Sequence, residues 1–141
     1  MNRKWLPAFA DLIDRMTIHQ LKEVFIPENK EVYAREMRDI EHDLDVIIQE
    51  KNIELTGELI RSIIVLAQMN EHIWYNESEA RKGINAGENL LLTHGLNGVR
   101  NRAMNLIKVL TGEGDRLDLK TDCLADEFKD WEISLLSEKR E

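Results

Sequence analysis

The chain has 141 residues, 27 of them acidic against 19 Lys and Arg, for a formal net charge of −8. That length suits one domain. A composition 43% hydrophobic and 33% charged is too apolar for a disordered tail, and only 7 Gly and 2 Pro argue against a turn-dense all-β domain. The acidic balance disfavours a protein that grips duplex nucleic acid, which requires a clustered basic face.

The opening carries Arg3 and Lys4, but Asp11 and Asp14 interrupt the following apolar stretch too early for an export signal. The strongest apolar run, Ile63 to Ala67, is far too short to cross a membrane. A single cysteine, Cys123, excludes an internal disulfide framework and a cysteine-based zinc site. These features predict a cytoplasmic protein.

The first predicted helix runs from Pro7, acceptable at a helix start, to Phe25, with Phe9, Ile13, Met16 and Val24 on one face and Pro27 closing it. The second runs from Glu28 to Lys51, with Tyr33, Met37, Ile40, Leu44 and Ile47 on its stripe and Asn52 as a left-handed cap. The third follows Thr56, whose hydroxyl suits an N-cap, and ends at Lys82-Gly83. Leu59, Ile60, Ile63, Ile64, Val65, Leu66 and Ala67 cover most of its circumference, which marks it as the helix the others surround.

The fourth helix runs from Glu88 to Leu110, with Leu92, Leu96, Val99, Ala103, Leu106 and Leu110 on one face and Gly112 beyond its end. Gly95 and Gly98 cost it stability and point to a close approach by another group. A shorter fifth helix is expected from Thr121 or Asp122, on Leu124, Phe128, Trp131 and Leu135, before a frayed tail at 137–141. The expected fold is an all-α, single-domain bundle of four to five helices with a central apolar third helix.

Polar residues interrupt that apolar pattern in two places. On the third helix the line Ile60, Ile63, Ala67, Asn70, Trp74, Glu77 turns polar without leaving its face, and Glu77 can pair with Arg81 at i,i+4. On the fourth, His94, Asn97, Asn101 and Asn105 form a stripe beside Arg100, although Asn is a poor helix former. Such stripes suit either an interhelical hydrogen-bond ladder or a ligand pocket. In the pocket reading Asn70, Trp74, Glu77, His94, Asn97, Arg100 and Asn101 line the site, and the guanidinium selects an anion such as phosphate or carboxylate. Glu77 or Asp39 is then the internal alternative as its counter-ion.

The second helix offers a different chemistry, because Glu36, Asp39, His42 and Asp43 include an Asp-x-x-His pair like those of helical-bundle metal sites. His42-Asp43 also resembles, by two residues, the signature dipeptide of the HD phosphohydrolases, with His19 upstream. A solvated acidic face salt-bridged by Arg35 and Arg38 accounts for the same residues. No phosphate-binding glycine loop or nucleophile elbow is present.

The sequence therefore points to a small binding or interaction protein, homo-oligomeric and without a cofactor, taking a small anionic ligand between helices. The alternatives are a divalent-metal-dependent nucleotide or phosphoester hydrolase and a purely structural subunit.

Overall fold

The helices close where the sequence supplies caps. In the computed structural model, which describes residues 3–117 and Leu135, they are α1 (Phe9–Phe25), α2 (Lys30–Lys51), α3 (Gly57–Arg81) and α4 (Ala86–Leu110). Asp11 accepts a hydrogen bond from the Ala8 backbone N–H at 2.9 Å and so opens α1 two residues after Pro7. The Thr56 hydroxyl accepts from the Leu59 N–H at 3.1 Å and caps α3. Asn52, at φ 52° and ψ 50°, ends α2 in the left-handed conformation that Asn tolerates. Gly83 and Gly112 take φ 78° and 83° just past α3 and α4, where a Cβ would be strained.

The short connections fold the chain into two helical hairpins, α1 with α2 and α3 with α4, and α1 joins them by packing on both α3 and α4. Phe9 and Ile13 of α1, Ile40 and Leu44 of α2, Leu59, Leu66 and Met69 of α3, and Leu96, Val99 and Ile107 of α4 meet in one core. Leu135 is buried in that core; the rest of the predicted fifth helix, with Cys123 and Trp131, lies outside the described residues. Gly95 and Gly98 are both buried on α4. All four described helices fall on the segments read from periodicity, which makes the chain an all-α bundle. Among the described residues no helix is long and apolar enough to cross a membrane.

Helix α3 enters the core on one side rather than all round. Leu59, Val65, Leu66 and Met69 are buried, but Ile60 and Ile64 are 45% and 51% exposed. The reason is placement, since α2 packs chiefly against α1 and leaves that flank of α3 open.

Candidate functional site

The polar stripes of α3 and α4 meet α1 in one connected network. Asn70 is buried, and its Nδ2 donates to Asp14 Oδ1 at 2.8 Å and to Thr17 Oγ1 at 2.7 Å. Its Oδ1 accepts from Arg100 Nε at 2.9 Å. The other guanidinium nitrogens of Arg100 reach Asp14 Oδ2 at 2.5 Å and Asn101 Oδ1 at 2.7 Å. Thr17 Oγ1 in turn donates to the Asp14 carbonyl at 2.8 Å. Both Asp14 oxygens and every Arg100 nitrogen are thus engaged, with the two side chains only 16% and 21% exposed. A charge pair this far from water holds when its remaining donors and acceptors are also met.

This geometry brings together Asn70, Arg100 and Asn101 and adds Asp14 and Thr17. The counter-ion of Arg100 is Asp14, not Glu77 or Asp39 as the sequence suggested. Glu77 is instead 3.7 Å from Arg81, the ordinary i,i+4 pair. His94 is exposed and Asn97 half-buried. Trp74 lines a groove of about 770 Å³ with Phe25, Tyr75, Glu71 and Glu79.

No family model matches the chain, and no curated protein or solved structure shows significant similarity to it.

The acidic flank of α2 faces solvent because Met37, Ile40 and Leu44 take the inward positions. Glu36 is held by His19 Nε2 at 2.5 Å, and that ring also bonds the Arg15 carbonyl through Nδ1 at 3.0 Å. His42 and Asp43 are exposed neighbours 3.2 Å apart, and Asp39 is exposed. Among the described residues no group of three or more His, Cys, Asp or Glu is placed to hold a metal ion. The four α2 residues lie along one open flank and do not converge.

A second polar cluster, not singled out from the sequence, joins the chain before α1 to the turn after α4. Buried Glu113 pairs with Lys51 at the end of α2 and lies 3.6 Å from Arg116. Arg116 donates to the Leu6 carbonyl at 2.5 Å and stacks 4.0 Å over the Trp5 ring. Lys108 donates to the Arg116 carbonyl at 2.9 Å. One sequence signal for it was available, because Lys108 stands seven residues beyond Asn101 on the stripe that α4 presents to α1.

Proposed function

We propose that the chain is a binding protein that works through the outward side of α3, and that the first partner it meets there is a second copy of itself. The observation that supports this is the doubled apolar character of α3. One side is spent in the core, while Ile60, Ile64 and Tyr75 stand open, the last 60% exposed. Exposed apolar groups gathered on one helix side mark an interaction surface. The Asp14–Asn70–Arg100 network acts as a brace between α1, α3 and α4, and its charge balance requires no anionic guest. A reducing, cytoplasmic setting fits the lone Cys123.

A two-fold antiparallel pairing of α3 with its copy, centred near Gln68, places Ile60 about 12 Å from the axis on one side and position 76 about 12 Å on the other. Ile60 and Ile64 of each copy then lie along the groove of Phe25, Trp74 and Tyr75 in the other, and reciprocally, as closed two-fold symmetry demands. A stable pair needs about 800 Å² from each partner. The two isoleucines cannot supply that alone, so the pairing also requires the groove.

Sedimentation velocity at roughly micromolar concentration tests the reading. The wild type is expected to run as a dimer, and Ile64→Asp as a monomer with an unchanged circular dichroism spectrum and a melting temperature that no longer depends on concentration. A monomeric wild type, or an Ile64→Asp variant that remains dimeric, contradicts it.

A further inference from the structure

A second groove, of about 670 Å³, runs along α1 and is lined by Trp5, Pro7, Leu12, Ile18 and a set of charged side chains. The cations are Arg15, Lys22 and Lys108; the carboxylates are Asp11 and Asp14. Asp14 is neutralised by Arg100 and bonded by Asn70, and Asp11 accepts from the Ala8 N–H through one oxygen and pairs with Lys108 through the other, which leaves Arg15 and Lys22 in excess. Arg15 is exposed and has no carboxylate partner among the described residues. In a protein of net charge −8, this groove is locally cationic.

Lys108 gives the groove its selectivity. Its side chain is only 10% exposed, yet the described residues give Nζ a single hydrogen bond, to the Arg116 carbonyl at 2.9 Å. Asp11 Oδ1 forms an ion pair with it at 3.8 Å, too long for a hydrogen bond. An ammonium carries three donors, and the 3.8 Å ion pair to Asp11 leaves room for a closer acceptor at Nζ. An anion entering the groove takes that closer place. Asp11 and Arg15 are one turn apart on α1, so the Arg15 guanidinium lies within reach of an anion seated at Lys108.

We propose that this groove binds a small organic anion, with its phosphate or carboxylate between Lys108 and Arg15 and an apolar body against Trp5, Pro7 and Leu12. Arg116 stacks on one face of the indole at 4.0 Å, which orients the largely exposed ring beside the groove. The groove shares no lining residue with the one beside α3. The site can therefore fail or succeed independently of the dimer.

Phenyl phosphate, inorganic phosphate and benzylamine are the probes, read by calorimetry and by the indole N–H resonance of Trp5, assigned with Trp5→Phe. Phenyl phosphate is expected to bind at roughly millimolar concentration or below and to move that resonance. Inorganic phosphate should bind more weakly for want of the apolar contact, and benzylamine should not bind. Arg15→Ala, at an exposed position, should weaken phenyl phosphate by about tenfold at an unchanged melting temperature. Lys108→Met, which keeps the stem and removes the charge, should weaken phenyl phosphate likewise. Absence of phenyl phosphate binding, equal binding of benzylamine, or undiminished binding by Arg15→Ala overturns the proposal.

Discussion

Leu66→Asp is expected to leave a chain with no cooperative unfolding transition, collected in the insoluble fraction or seen as a loss of helical circular dichroism. Leu66 is fully buried at the centre of α3, within the core shared by all four helices. Truncation there to Ala costs about 2–5 kcal/mol from lost packing and the cavity left behind. A carboxylate adds the desolvation of a charge with no partner, and together these exceed the 5–15 kcal/mol, in order of magnitude, that holds a domain of this size. Ile64→Asp, two positions away on the open side, should fold as the wild type does. Equal damage from the two substitutions would show that α3 is enclosed on both sides.

Arg100→Ala is expected to cost about 2–4 kcal/mol, toward the lower end for a buried pair because about a fifth of the guanidinium remains in water. The loss strands Asp14 Oδ2 and Asn70 Oδ1 at once, since both accept from Arg100. In thermal unfolding this corresponds to a fall on the order of 10 °C. Asp14→Ala should produce a similar fall, and the double variant should lose about 1–3 kcal/mol less than the sum of the singles, because the second change removes a group already stranded. Strictly additive losses would mean that the two charges do not depend on each other. A double variant combining Arg100→Ala with Glu77→Ala should be additive, as Glu77 belongs to Arg81.

The helices were legible in the sequence because each carries its own stop signals. Thr56, Asn52, Gly83 and Gly112 act within a turn of the position they control, so local reading finds them. The network was only half legible for the opposite reason. Asn70 and Arg100 are conspicuous as polar residues on apolar faces, but Asp14 lies 56 and 86 residues away from them. On α1 it looks like any charged neighbour of the buried Ile13. Only the docking of α1 on the α3–α4 hairpin decides which of many carboxylates meets the guanidinium.

Periodicity misled in a second, instructive way at α3. Apolar residues around a whole circumference signal a helix with no face turned to water, and the expectation was that sister helices supply all the cover. Ile60 and Ile64 are as apolar as Leu59 and Leu66, and the sequence contains nothing that separates a face closed within the chain from one left open. The α1 groove escaped notice because its cations are dispersed at Arg15, Lys22 and Lys108. Each reads singly as surface charge, and only the fold lines them along one channel.

The claim that α3 is the protein's working surface is tested most directly by cross-linking at the expected two-fold axis. Gln68→Cys, in a Cys123→Ser background, places one thiol per chain where the paired helices lie closest, within the Cα separation a disulfide spans. Mild oxidation is predicted to convert this variant to a covalent dimer on non-reducing gels, while Asp45→Cys on the exposed flank of α2 remains monomeric. A Gln68→Cys variant that stays monomeric, or that cross-links no faster than Asp45→Cys, would contradict the assignment of α3 as the interface.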